Sequence, residues 1–143
     1  MRSILIVIAI CFLQACSVKY TAEPIADIHT LNKGICVIKN ESVRPEFLEV
    51  YSNLLEERGF VVRLIEENSD PSTCELASRY IGQWSWDFVT YMAYAEIIIY
   101  KNGKDLGRVE YEAPRAGWSL TTKIYEPTEV KIRNMLDQLF SDA

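Results

Sequence analysis

The chain has 143 residues, 49% hydrophobic and 24% charged, with a formal net charge of −5 at pH 7. That length and apolar content suit one domain with a buried core. With no run of three like charges anywhere, the acidic balance argues against nucleic acid or anionic lipid as a partner, since both require clustered Lys and Arg.

The first segment is the most specific. Met1-Arg2-Ser3 carries one positive charge, and Ile4 to Leu13 is uninterruptedly apolar. Such a run matches a signal-peptide core and is too short to span a bilayer as a helix. Leu13-Gln14-Ala15-Cys16 follows and resembles a bacterial lipobox. It implies a signal peptide over residues 1–15, removed to leave Cys16 as a lipidated N-terminus. Several acyl chains on Cys16 give stable membrane anchoring where one gives only marginal binding. The next residue is Ser17 and not Asp, which in the lipobox reading implies sorting to the outer membrane, with the domain facing the periplasm. Of the four cysteines, Cys11 leaves with the signal and Cys16 takes the lipid. Cys36 and Cys74 remain in an oxidising compartment and read as a disulfide. Two buried thiols or half of a metal site are the rival readings, though the single histidine, His29, and the absence of Cys-x-x-Cys spacing disfavour a metal.

Residues 16–33 show neither helical nor alternating periodicity and read as a lipidated N-terminus followed by a flexible tether, with a reach of roughly 20 Å. His29 falls there and reads as a solvated residue. The domain is expected over residues 34–143. Gly34 to Lys39 is a β-branched run consistent with a strand buried on both faces. Pro45 fits a helix start, and Phe47, Leu48, Tyr51, Leu54 and Leu55 form one apolar stripe. Gly59 ends that helix, and Phe60 to Ile65 is a second strand, so the pair makes a parallel βαβ unit. After a loop over 66–73, strands are expected up to about Trp86, over Met92–Lys101 and over Gly107–Ala113. Asn102-Gly103 reads as a type I′ hairpin turn. A last helix opens near Pro127, with Ile132, Met135, Leu136 and Leu139 inward and Lys131, Arg133, Asn134 and Asp137 on its polar side. The order β-α-β-β-β-β-α predicts an α+β two-layer sandwich, a mixed sheet with two helices on one face.

The chemistry-bearing candidates cluster in the aromatic stretch from Tyr80 to Tyr91. Trp84 and Trp86 share a face if the stretch is a strand, and Trp118 joins them if the chain returns there. With Asp87 and Tyr91 they make a candidate binding face for protein or glycan. The competing reading packs the tryptophans under the helices. Asp87 with Glu96 is the one conceivable acid–base pair, though Asp87 fits a turn cap better. Ser119, Thr121 and Thr122 lack a partner histidine, and no Gly-rich phosphate loop occurs. No catalytic set, metal site or cofactor site is therefore expected.

Trp84-Ser85-Trp86-Asp87, Tyr91, Ala95-Glu96, Gly103, Gly107, Glu110-Tyr111, Lys123 and the Thr128–Ile132 helix start together resemble a family of small proteobacterial lipoproteins. That resemblance carries no activity to transfer. A looser similarity, of fold only, is to the small α/β modules of envelope accessory lipoproteins and of the N-terminal domain of the Tol system's propeller protein, modules that mostly bind proteins. The expectation is a non-enzymatic outer-membrane lipoprotein acting as an interaction or accessory module on an envelope protein. The alternative is a ligand- or glycan-binding lipoprotein using an aromatic sheet face.

Overall fold

A computed structural model describes residues 18–114 and 125–141. The expected signal peptide and Cys16 lie outside the described residues, as does Trp118. Within the described residues the elements are β1 (Lys19–Glu23), β2 (Gly34–Ile38), α1 (Pro45–Glu57), β3 (Val61–Ile65), β4 (Leu76–Asp87), β5 (Val89–Lys101), β6 (Lys104–Glu112) and α2 (Thr128–Leu139). Single 3-10 turns lie at Ile28–Thr30 and Pro71–Thr73. The sheet order is β1-β6-β5-β4-β2-β3. Strand β2 runs parallel to β3 and β4, and every other pair is antiparallel. This is the expected α+β architecture, a mixed sheet carrying both helices on one face.

Local chemistry explains the elements. In β2, Ile35 to Ile38 are all buried, as a strand flanked on both sides requires. Helix α1 begins at Pro45, where a missing N–H costs nothing. It buries Phe47, Tyr51, Leu54 and Leu55. Gly59 continues past its end at φ 86°, the left-handed exit that glycine takes without a Cβ clash. At the β5–β6 turn, Asn102 and Gly103 have φ of 51° and 78°, the two positive values a type I′ turn needs.

One expectation fails at the N-terminus. Residues 16–33 read as a tether because the segment is short and lacks a long apolar period, yet Lys19–Glu23 pair rung by rung with Glu112 back to Arg108 on β6. Val18, Tyr20 and Ala22 pack against the core, with the Tyr20 and Tyr111 rings 5.2 Å apart. Beyond the strand, the backbone N–H of Ile25 donates to the Leu139 carbonyl at 2.9 Å, and Ile25 and Leu31 are buried. Gly107 makes that crossing possible. A Cβ there would stand 2.5 Å from the Ile25 side chain and 3.1 Å from that of Leu139.

A second correction concerns α2. Its inward stripe of Ile132, Met135, Leu136 and Leu139 is fully buried as expected, but so is Lys131. The Lys131 Nζ donates to the Met92 carbonyl at 3.2 Å and stands 5.0 Å from the centre of the Tyr111 ring. Periodicity placed Lys131 on the polar side of the helix, but a long side chain can lay its methylenes along apolar surface and carry its head inward. Burial pushes its ammonium down to about 8, against the opposing pull of Glu126. The unfolded chain keeps this lysine protonated to about pH 10.4, so above pH 8 the unfolded state holds the extra proton and stability rises with pH. The gain should reach about 1–2 kcal/mol between pH 8 and 9.5, before the buried tyrosines Tyr51 and Tyr111, whose hydroxyls burial holds well above their ordinary value, reverse the trend. Urea midpoints across that range should climb in the native protein and stay flat in Lys131→Met.

Cys36 and Cys74 form a disulfide that closes a 38-residue separation, with Cα atoms 6.2 Å apart. It ties β2 to the segment entering β4 across the whole βαβ unit. Replacing both cysteines by alanine should lower the free energy of urea unfolding by about 4 kcal/mol, the loop-closure value for that length.

Candidate functional site

The residues expected to form one aromatic face are separated by the structure into distinct environments. Trp84 turns to the helix side. Its ring meets Phe47 edge-on at 6.3 Å, and the Arg44 guanidinium lies 5.1 Å over it. It folds back over Gly82, where a Cβ would stand 2.9 Å from the indole and 3.2 Å from Val43. Gly82 is thus the residue that lets Trp84 close the end of α1 against the sheet. Within the same cluster Phe47 stacks on Tyr80, with ring centres 5.2 Å apart and planes 9° apart. Trp84 is a packing residue.

Trp86, two residues on, is 70% exposed, and Phe88 and Val89 are 89% and 57% exposed. They sit at the tip of the β4–β5 hairpin, whose last rungs are Trp86↔Thr90 and Asp87↔Val89. The Trp86 and Phe88 rings lie 5.8 Å apart. Asp87 accepts a hydrogen bond from the Tyr125 hydroxyl at 3.4 Å, and Tyr91, buried, meets the Tyr125 ring edge-on at 5.9 Å. Asp87 and Tyr91 therefore dock the segment leading into α2 onto the base of the tip. The tip itself is apolar and unsheltered. Sequence reasoning missed Phe88 and Val89 because it assigned residues 87–91 to a turn between strands.

Phe88 is unusual in its backbone as well. Its φ is 56°, a region bulky residues enter at a cost. An aromatic held there with nearly all its surface in water is favoured by neither local conformation nor burial. The Asp87–Glu96 pair does not assemble. Glu96 pairs with Ile81, six rungs from Asp87 on β4, about 20 Å along the strand. Carboxylates that share a glycosidic bond stand ~5–9.5 Å apart.

The second surface is the sheet face without helices. There a groove of about 320 Å³ runs over Ile38, Arg79, Ile81, Glu96, Ile98 and Tyr100. Glu96 pairs with Arg108 at 3.0 Å, and Arg108 also holds Asp105 at 3.2 Å. Burial raises the Glu96 carboxyl above its ordinary value, against the pull of Arg108. Along one margin the loop after β3 overlaps the groove, with Arg79 donating to the Ser69 carbonyl at 3.2 Å. Among the described residues, no group of three His, Cys, Asp or Glu side chains is placed to hold a metal ion. No helix among them is long and apolar enough to cross a membrane.

No protein-family model matches the chain, and no curated protein matches it in sequence. Two solved structures resemble it. One is the PelC dodecamer from Paraburkholderia phytofirmans, with 15% identity, a TM-score of 0.56, and coverage of 87% of this chain and 99% of that one. The other is a single-substitution variant of the same dodecamer, with 12% identity, a TM-score of 0.50, and coverage of 86% and 94%. The likeness is one of fold.

The conformation at Phe88 yields a direct test. Phe88→Asn, a residue that tolerates positive φ, should raise thermal stability by up to about 1 kcal/mol. A loss of stability on that substitution would mean that the Phe88 ring packs in solution.

Proposed function

We propose that this chain is an outer-membrane lipoprotein, anchored through Cys16, whose periplasmic domain is a non-enzymatic interaction or accessory module for an envelope protein. The anchor rests on the lipobox, and the Cys36–Cys74 disulfide suits an oxidising compartment. The observation that carries the module reading is the helix-free sheet face. Both helices cover the opposite face, while Ile81, Ile98 and Tyr100 line an open groove around the Glu96–Arg108 pair. Apolar and aromatic contact area around a few paired charges is the make-up of a protein-binding surface. The two structures of similar fold are dodecamers, so another copy of this chain is the first partner to seek.

The glycan-binding alternative was built on Trp84, Trp86 and Trp118. Trp84 is engaged by Phe47 and Arg44, so among the described residues no two tryptophans share one open sheet face.

In-cell crosslinking of the full chain followed by mass spectrometry should recover one protein in stoichiometric yield, either a second copy or a different envelope protein. Ile98→Ser/Tyr100→Ser, with unchanged circular dichroism, should lose it. Identical crosslinks in wild type and variant, or none in either, would remove the helix-free face from consideration.

A further inference from the structure

We propose that the tip of the β4–β5 hairpin, Trp86, Phe88 and Val89, inserts into the interface of the same membrane that holds the lipid on Cys16. The proposal rests on the lipid-anchor part of the reading above. What goes beyond that reading is a second, protein-borne membrane contact that fixes the orientation of the domain.

Strand register places the tip and the start of β1 at one end of the sheet. Lys19 pairs with Glu112, Glu112 with Tyr94, and Tyr94 with Gln83, so these residues lie level across the sheet. From that level β4 continues to the tip. Strand β1 is entered from that same end, because it is antiparallel to β6. Only β6 separates β1 from β5, a lateral offset of about 10 Å.

The lengths agree. Cys16 is three residues before Lys19, which allows at most about 10 Å of extended chain. The hairpin runs five residues from Gln83 to Phe88, about 17 Å. The tip therefore projects roughly 7 Å further than Cys16 can, within the ~5–10 Å to which interfacial apolar groups enter a bilayer. Val18 is already packed on the core, so no long tether separates the domain from the lipid. A domain held this closely must present that end of its sheet to the membrane.

The chemistry of the tip fits the site. Trp at the headgroup level, with neighbouring apolar side chains, is the residue set enriched at membrane interfaces. At the base of the tip the Asp87 carboxylate is engaged by the Tyr125 hydroxyl. The protein's net charge of −5 excludes adsorption by charge alone, and insertion of aromatic side chains needs no basic cluster. The exposure of the Phe88 side chain, unfavourable in water, is accounted for by a non-aqueous surrounding.

The test uses the full chain, processed in bacteria, extracted in detergent and reconstituted into two sets of phosphatidylethanolamine–phosphatidylglycerol vesicles, with acyl chains brominated at a shallow or at a deep position. Trp84→Phe/Trp118→Phe leaves Trp86 as the sole tryptophan, and intact mass reports the diacylglycerol on Cys16. With the lipid present, Trp86 emission should shift to the blue and be quenched by shallow bromines more than by deep ones. Phe88→Ser in the same background should weaken both effects. Lipidated protein whose Trp86 emission is unchanged by bromine would overturn the proposal and leave the anchor standing. Protein without diacylglycerol would overturn both. Trp86-dependent crosslinks to another protein, in place of quenching, would reassign the tip to a protein partner.

Discussion

The ladder between β4 and β5 begins at Leu76↔Lys101 inside the domain and is still paired at Asp87↔Val89, beyond the ends of every neighbouring strand. On one side it receives the parallel βαβ unit through Cys36↔Ala77 and Val37↔Ser78. On the other it receives β6 and, through it, β1. The inner half of this hairpin supplies the floor on which both helices pack, and its outer half projects past them. A one-residue irregularity between Gln83 and Trp84 marks the passage from one half to the other. Such a bulge increases local twist and re-aims the side chains beyond it. Core packing and surface presentation are therefore properties of one continuous element, and moving its register would disturb both together.

Polar groups inside the sandwich fix how the helices sit. The Tyr51 hydroxyl and Ser78 hydroxyl are 2.6 Å apart in the buried seam between α1 and β4. At the end of β2, the Asn40 backbone N–H donates to the Tyr80 hydroxyl at 3.1 Å, and the Asn40 side chain donates to the Tyr80 carbonyl at 3.0 Å. On α2 the Lys131 Nζ does the equivalent work through the Met92 carbonyl. Each bond contributes about 1 kcal/mol net, but losing one partner would strand the other without water, which costs about 1–3 kcal/mol. They act less as net stability than as a penalty on misplacing a helix. At the solvent edge the two helices are joined by Arg133–Glu57 at 2.8 Å and by the Arg58–Asp137 pair, exposed contacts of small individual weight.

Folding β1 onto the sheet alters the relation of the domain to its proposed anchor. A tether of a dozen or more residues would let the domain tumble at a distance from the bilayer. A strand that starts three residues after Cys16 allows little such freedom, and its direction is set by antiparallel pairing with β6. In the proposed arrangement the exposed aromatics at the hairpin tip would face the bilayer, and the helix-free groove would stand beside the membrane. A lipid near Cys16 and an aromatic tip about 10 Å away laterally would together resist rotation, which a single point of attachment cannot.

Much of the fold was legible from the sequence, and for local reasons. The β-branched run at Gly34–Lys39, the Pro45 start and Gly59 exit of α1, the Asn102-Gly103 turn and the inward stripe of α2 each depend on side-chain period or on backbone preferences of a few residues, and they stand where expected. The pairing of Cys36 with Cys74 followed from compartment and count. The sequence was silent where a residue's place depends on contacts distant along the chain. Lys19–Glu23 is too short to declare itself a strand without the Arg108–Glu112 edge it completes. Lys131 reads as a polar-side residue, and only the Met92 carbonyl and Tyr111 ring draw it inward. Trp84 and Trp86 are indistinguishable by spacing, and the structure separates them because the packing of α1 ends between them. Period and composition report the direction in which a side chain leaves its own element. What it meets there, protein or open surface, depends on how far neighbouring elements extend, and that is decided by tertiary packing alone.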